Sequence, residues 1–120
     1  MSGGERQRLA LAMAFAAKPR IILLDEATAH LDLHHRVEIM QLLREMNRNR
    51  GVTVIMAVHD LSLAGRYFNR LILIKEGCII NDGPPNIVLR EENIEDAYGC
   101  PVRVVELPDR LGSAIIPMDK

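Results

Sequence analysis

The segment Ile21-Ile22-Leu23-Leu24-Asp25-Glu26 decides the predicted fold of this chain. Its four aliphatic residues follow one another without a polar interruption, which is typical of a strand buried on both faces of a parallel sheet. Two carboxylates come directly after them, at the end of the strand where open α/β sheets bind their ligands. Because side chains alternate along a strand, Asp25 and Glu26 diverge, so one can hold a metal ion while the other orients a water molecule. The competing interpretation is that the strand simply ends there and a polar loop begins.

Composition limits the classes of protein to which the chain can belong. Its 120 residues are enough for one domain with a packed core, and a hydrophobic fraction of 48% argues against disorder. A net charge of -1 and the presence of only two Phe and two Tyr give no support for a general nucleic-acid binder. Cys78 and Cys100 lack the spacing of metal ligands, which fits a reducing compartment. Without a secretion signal or an apolar run of about 20 residues, we expect a protein that is soluble or at most peripheral to a membrane.

The segment that precedes the central strand predicts a helix with an unusual start. Ser2 and Glu5 have the spacing of a capping box, and an alanine-rich stretch continues to residue 17. Gly3 and Gly4 allow another group to approach the backbone, and a helix N-terminus with bare amides and a serine hydroxyl suits a phosphate. A well-capped helix without a ligand is the alternative. We expect the apolar face of this helix at three positions with helical spacing: Leu9, Met13, and Ala16 or Ala17.

The remaining elements alternate between strands and helices. Asp32 is a suitable N-cap for a long helix that ends at Gly51. The later predicted elements are a strand at 52–58, a short helix at 61–68, a strand at 71–74 with a hairpin partner at 78–81, two short helices near 86–90 and 92–98, and two strands at 102–106 and 113–116. This order predicts an α/β fold in which the strands that begin at Ile21, Val52 and Leu71 are parallel.

Histidines add two further candidate sites. His59 follows the second predicted strand, so it would lie at the same sheet edge as Asp25 and Glu26 and is a candidate for their chemistry. A purely structural histidine is the competing interpretation. His30 and His34 are four residues apart and are a possible metal pair, but no third ligand is evident.

Four segments of the chain resemble the motifs of ABC transporter ATPases, in the order and at the spacing of that family. They are Ser2-Gly3-Gly4-Glu5-Arg6-Gln7-Arg8 for the signature motif, Ile21 to Glu26 for the Walker B strand with the catalytic glutamate, His30-Leu31-Asp32 for the D-loop, and Val58-His59-Asp60 for the switch-histidine loop. The resemblance covers the whole chain and corresponds to about the second half of the ATPase domain. The segments Gly83-Pro84-Pro85, Glu91 to Ile94 and Tyr98-Gly99 resemble importer ATPases for iron chelates, haem and cobalamin.

The resemblance implies a P-loop NTPase-like partial domain with a role for each motif. Residues 1–83 would form the second half of the ATPase domain, and residues 84–120 a helical and β extension of it. Asp25 would hold Mg²⁺ through coordinated water, Glu26 would polarise the attacking water, and His59 would contact the γ-phosphate of ATP. Four residues of the signature motif would cover the γ-phosphate of ATP bound to the opposite subunit: Ser2, Gly3, Gly4 and Glu5. Asp32 would pass information across that dimer interface.

The implied partners are a second ATPase subunit, forming a homodimer, and transmembrane permease subunits, with no nucleic acid. The implied location is cytoplasmic, peripheral on the inner face of the cell membrane.

The chain departs from the family in one major respect. It contains no G-x-x-x-x-G-K-[ST] phosphate loop, and the Q-loop glutamine and adenine-stacking aromatic are also missing. Ala27 stands where the family usually has proline, and Glu5 where glutamine is common. We therefore expect a truncated product, or a gene model begun at an internal methionine, that neither hydrolyses ATP nor binds it tightly alone.

Two alternatives to an importer ATPase remain. The first is a non-enzymatic remnant or interaction module of the same fold, which the missing phosphate loop supports. The second is a DNA-repair type of ABC ATPase, although such proteins carry long coiled coils and no sustained heptad pattern occurs here.

Overall fold

The computed structural model describes residues 3–119, and the chain divides into two compact units between His59 and Asp60. The first unit contains α1 (Gly3–Ala16), β1 (Ile21–Asp25), α2 (Leu33–Arg50) and β2 (Thr53–Ala57). The second contains α3 (Leu61–Tyr67), β3 (Leu71–Lys75), β4 (Cys78–Gly83), α4 (Pro85–Val88), α5 (Glu91–Tyr98), β5 (Val102–Glu106) and β6 (Ser113–Pro117). The predicted domain boundary after Gly83 does not coincide with this division and stays a prediction.

The two strands of the first unit are parallel, as the sequence predicts. Their register runs from Ile21 opposite Thr53 to Asp25 opposite Ala57. The ladder continues one residue further, because the backbone N–H of Glu26 donates to the carbonyl of Ala57 at 2.9 Å. The residue that follows each strand therefore emerges at the same edge of the sheet.

The strand pair is buried on one face only, so the prediction that β1 is covered on both faces is wrong for this chain. Ile22 is 8% exposed, whereas Leu23 is 73% exposed and its register partner Ile55 is 53% exposed. Ile21 lies on the same open face as Leu23 and is 58% exposed. The physical reason is that α2 packs against β2, and within the described residues of this unit no helix or strand covers the opposite face.

The face by which α1 packs also differs from the prediction. Leu11 and Phe15 are buried, while Leu9 and Met13 are 48% and 68% exposed. Periodicity could not select the face, because alanine and leucine occur on every side of this helix. The bulky ring of Phe15, rather than the apolar repeat, marks the packed side.

The ends of α2 are formed by the two residues that the sequence indicates. The carboxylate of Asp32 accepts a hydrogen bond from the backbone of His35 at the N-terminus. Gly51 adopts a left-handed conformation with φ of 67° at the C-terminus, and its N–H donates to the carbonyl of Asn47. Between these caps the helix buries Ile39, Met40 and Leu43.

The predicted hairpin of β3 with β4 is confirmed, whereas the parallel arrangement of β3 with β1 and β2, which belong to the other unit, stays a prediction. Among the described strands, β3 is hydrogen-bonded to β4 alone, and the two are antiparallel. The reason is local: Glu76 and Gly77 both have positive φ, at 52° and 75°, which matches the tight turns that favour hairpins. Arg70 and Asp82 fasten this hairpin through two hydrogen bonds of 2.9 and 2.7 Å.

The second unit has its own small core. It is built around Leu89, Ile94 and Val102, with Leu61, Leu71, Val104 and Ile115 packed against it. The predicted C-terminal β addition is the antiparallel pair β5 and β6. No helix within residues 3–119 has the length and apolar character needed to cross a membrane.

Candidate functional site

The two adjacent acids lie where β1 ends. Asp25 is the last residue of the strand and is exposed, and Glu26 is partly buried. Glu26 has a φ of 50°, a left-handed conformation that costs a residue with a side chain about 1–2 kcal/mol. The chain then turns through residues 27–30, and the N–H of Ala29 donates to the carbonyl of Glu26 at 2.9 Å. Strained backbone of this kind persists where the surrounding structure enforces it, and it is concentrated at functional sites.

His59 meets Glu26 at this edge of the sheet. Its Nε2 contacts the Oε1 of Glu26, from a position two residues beyond the end of β2. The imidazole is 86% exposed and the Glu26 side chain is 35% exposed, so both remain accessible from solvent. The structure thus brings together the acid and the histidine that the sequence analysis placed at one edge.

The loop between β1 and α2 is anchored by residues that the sequence analysis did not select. Ala27 and Thr28 are 6% and 7% exposed, and the carbonyl of Thr28 accepts a hydrogen bond from the N–H of Leu31. A small residue and a threonine directly after two acids were the only available signal. Their burial fixes the path of the loop from Glu26 to Asp32.

The side chain of Asp32 is held by His35. Its Oδ1 accepts hydrogen bonds from the backbone N and the ring Nδ1 of His35, both at 2.9 Å. The backbone hydrogen bond and then the ring hydrogen bond of His35 hold the pKa of Asp32 below its ordinary value. The Asp32 side chain is nevertheless 66% exposed, so it can still contact a partner.

Of the other two histidines, His34 is engaged in a different contact. His34 Nε2 lies 2.8 Å from Oε1 of Glu38 on the surface of α2. His30 is exposed in a left-handed conformation with φ of 65°. Across residues 3–119, no group of three or more His, Cys, Asp or Glu side chains could hold a metal ion.

The first turn of α1 packs against the loop and the start of α2. Gly4 is buried, and a Cβ atom at that position would overlap the imidazole of His35. A Cβ atom on Gly3 would lie 3.7 Å from Leu31. Glu5 is exposed, and Ser2 lies outside the described residues. The two glycines and Asp32 therefore belong to one packed region of the first unit.

The chemistry of the site fits Mg²⁺ but does not supply a grip for ATP. Magnesium keeps several waters and is commonly bound through one or two carboxylates together with substrate phosphates, and the exposed carboxylate of Asp25 meets that need. A nucleotide also needs backbone amides around its phosphates, usually from a glycine-rich loop. The sequence has no such loop.

Comparison with known proteins gives one consistent result. The family model described as ABC transporter matches residues 1–29. The hemin import ATP-binding protein of Rhodococcus jostii is 42% identical over 117 residues, which are 98% of this chain and 40% of that protein. The chain carries part of an ABC transporter ATPase domain. The ferric enterobactin transport ATP-binding protein of Escherichia coli is 38% identical over all of this chain and 44% of its own length.

A solved structure extends the likeness of this ABC ATPase segment to three dimensions. An inward-facing putative metal-chelate type ABC transporter superposes with a TM-score of 0.88 at 25% identity, over the whole of this chain and 48% of that one. The ABC ATPase segment thus spans less than half the length of these relatives. Its α/β fold is that of a partial P-loop NTPase domain.

Proposed function

We propose that this chain supplies the hydrolytic part of an ATP-binding subunit in an ABC importer for iron chelates, haem or cobalamin. The observation that carries the proposal is the contact of His59 with Glu26 at the carboxyl end of two parallel strands, directly beside Asp25. The named functions of the relatives, haem import and ferric enterobactin transport, support the class of cargo.

Each residue of the edge has a task in this proposal. Glu26 accepts the proton of the attacking water and orients it toward the γ-phosphate. His59 holds the Glu26 carboxylate in place and contacts the γ-phosphate itself. Asp25 binds Mg²⁺, which neutralises phosphate charge when it is present. Phosphoryl transfer depends on such positioning and charge neutralisation rather than on covalent chemistry by the protein.

The partners follow from the same proposal. Two ATPase subunits face each other, so that Ser2, Gly3, Gly4 and Glu5 of one cover the nucleotide of the other, and Asp32 lies at the interface. The helical segment from Leu61 to Phe68 and the signature helix α1 each lie near the transmembrane permease, with the ATPase on the inner membrane face. This arrangement rests on the resemblance to ABC transporter ATPases.

A chimera provides the direct test. Residues 1–120 replace the matching segment of the hemin import ATP-binding protein of Rhodococcus jostii, which supplies the nucleotide-gripping part. We expect the purified chimera to hydrolyse ATP in the presence of Mg²⁺ and to lose hydrolysis when Glu26 becomes Gln. A chimera that folds and binds ATP without hydrolysing it would contradict the proposal.

A second candidate, a non-enzymatic interaction module, is favoured by the absence of a phosphate loop. Equilibrium dialysis of the 120-residue chain against Mg-ATP addresses nucleotide affinity separately. We expect no binding in the micromolar range. A micromolar Kd would correspond to a binding free energy of about -8 kcal/mol. Hydrolysis by the chimera together with no binding by the isolated chain would assign catalysis to this segment and nucleotide affinity to the rest of the domain.

A further inference from the structure

Helices α1 and α2 approach each other closely at one point in their first turns. There the backbone of Gly4 lies against the imidazole of His35, so closely that a Cβ atom on residue 4 would overlap the ring carbons. Only glycine leaves space for this ring. His35 is 25% exposed, compared with 77% for its neighbour His34, so its ring is largely enclosed by this packing.

The same ring is held from a second direction by Asp32. Nδ1 of His35 lies 2.9 Å from Oδ1 of Asp32, and the backbone N–H of His35 donates to the same oxygen. A carboxylate can only accept hydrogen bonds, so Nδ1 carries the proton. The neutral ring with its proton on Nδ1 and the imidazolium ring can both donate this hydrogen bond to Asp32.

We infer that His35 is a positioning residue that sets the first turn of α1 against Asp32. The His35 side chain contacts both Gly4 and Asp32. These two residues belong to the two segments that the proposed function assigns to the dimer interface. The inference rests on that proposed function. His35 itself contacts no nucleotide in this account and acts through the glycine amides and the Asp32 carboxylate.

Other contacts between α1 and α2 give a useful contrast. Arg8 and Glu38 form an ion pair of 2.8 Å between the same helices, with the Arg8 side chain 51% exposed. Exposed pairs of this kind contribute about 0–1 kcal/mol and hold geometry weakly. His34 shares Glu38, and its ring lies edge-on to the His35 ring with centroids 5.5 Å apart. Replacing His34 therefore removes a neighbouring imidazole while the packing of His35 on Gly4 and its hydrogen bonds to Asp32 stay in place.

The expected effect is on turnover rather than on nucleotide affinity. Without the ring, the first turn of α1 is free to shift relative to Asp32, and shifts of about 1 Å can cost up to about 10²-fold in rate. The grip on ATP lies outside this chain and is unchanged. We expect His35→Ala in the chimera to lower kcat between about tenfold and about 10²-fold, with the KM for ATP within about twofold of its original value.

Three matched variants separate positioning from general packing. His35→Asn places an amide N–H where Nδ1 stands, so it should restore most of the lost kcat. His35→Phe fills the space but cannot donate to Asp32, so it should remain slow. His34→Ala should retain the kcat of the parent chimera. In spectra of ¹⁵N-glycine-labelled chimera, the Gly4 amide should shift in His35→Ala and stay near its original position in His34→Ala.

The outcomes of this experiment are distinct. An active chimera in which His35→Ala leaves kcat and the Gly4 amide unchanged overturns the inference alone. The inference is also overturned if His35→Ala is slow, His35→Phe restores kcat and His35→Asn does not. In that case the volume of the side chain, and not its hydrogen bond to Asp32, would set the rate. A parent chimera without ATPase activity overturns the proposed function, and the nucleotide-positioning role of His35 fails with it.

Discussion

The Nε2 atom of His59 contacts the carboxylate of Glu26, and the two residues belong to the ends of different strands. The contact follows from the parallel register, since Asp25 lies opposite Ala57 and the N–H of Glu26 bonds to the carbonyl of Ala57. Residues that follow the two strands then emerge side by side. The left-handed backbone of Glu26 turns the chain away at this point, which leaves its side chain beside the imidazole.

The first prediction concerns the base. Glu26→Gln preserves the shape of the side chain but cannot accept a proton, and loss of a general base typically costs about 10²–10⁴-fold in rate. We expect the chimera carrying Glu26→Gln to bind ATP with unchanged affinity and to lose hydrolysis by about that factor. Steady-state phosphate release and nucleotide-binding titrations measure the two quantities.

A carboxylate remote from the sheet edge is the control for this variant. Glu45 is exposed on α2, so Glu45→Gln makes the same chemical change away from Glu26. Its hydrolysis rate should equal that of the parent chimera. Unchanged hydrolysis in Glu26→Gln would remove Glu26 from the role of base.

The second prediction concerns the packing of α1 on α2. Gly4→Ala forces a methyl group into the space of the His35 ring, and such overpacking typically costs about 1–3 kcal/mol. Gly3→Ala is the matched control, because its Cβ atom would lie at an ordinary 3.7 Å from Leu31. Urea unfolding of the 120-residue chain should show a clearly lower free energy of unfolding for Gly4→Ala than for Gly3→Ala. Equal values would mean that the helices can separate at no cost.

The third prediction concerns the end of α2. Gly51 has a φ of 67°, and apart from its two chain neighbours no described residue lies within 4 Å of the position that a Cβ atom would take. Gly51→Ala therefore meets only backbone strain, about 1–2 kcal/mol. Gly51→Asn should cost less, since asparagine tolerates the left-handed region. Thermal or urea unfolding that ranks glycine, asparagine and alanine in another order would contradict this explanation of the cap.

The fourth prediction concerns pH and the β3–β4 hairpin. The hydrogen bonds from Arg70, followed by its positive charge, hold the pKa of Asp82 below its ordinary value. The folded state therefore binds a proton here less readily than the unfolded state. The pair's stabilisation is present above the ordinary aspartate pKa of about 4 and is lost as pH falls through the lower pKa of the folded state.

Replacement of Asp82 by Asn tests this dependence. The difference in free energy of unfolding between the parent chain and Asp82→Asn should be constant near neutral pH and should shrink below about pH 4. Asp109→Asn is the control, because Asp109 is exposed in a turn with φ of 60°, where asparagine is also accepted. A difference that is independent of pH would show that the Arg70 pair does not stabilise the charged form.

The fifth prediction concerns the open face of the β1–β2 pair. Leu23 and Ile55 are register partners and both are largely exposed, and exposed apolar patches promote association. We expect the isolated chain to self-associate, and Leu23→Lys to shift it toward monomer in analytical ultracentrifugation. Leu33→Lys changes another exposed leucine, which is 75% exposed on α2, and should have less effect. Equal effects of the two variants would exclude this face as the contact.

Much of the local structure was predictable because its causes lie within a few residues. Asp32 and Asp60 cap the helices that they precede, and Gly51 ends α2 because it adopts a left-handed conformation at little cost. The apolar run before Asp25 specified a strand, and the helix between it and β2 implied a parallel pair. The convergence of Glu26 and His59 followed from that topology alone.

The tertiary structure decided the features for which the sequence signal was degenerate or distant. The alanine-rich surface of α1 offered several possible packing faces, and the choice depended on the fit of Phe15 and of Gly4 against its neighbours. The contact of His35 with Gly4 joins residues that are 31 positions apart in the sequence. Local patterns encode elements and caps, whereas the meeting of two helices depends on the shapes of both.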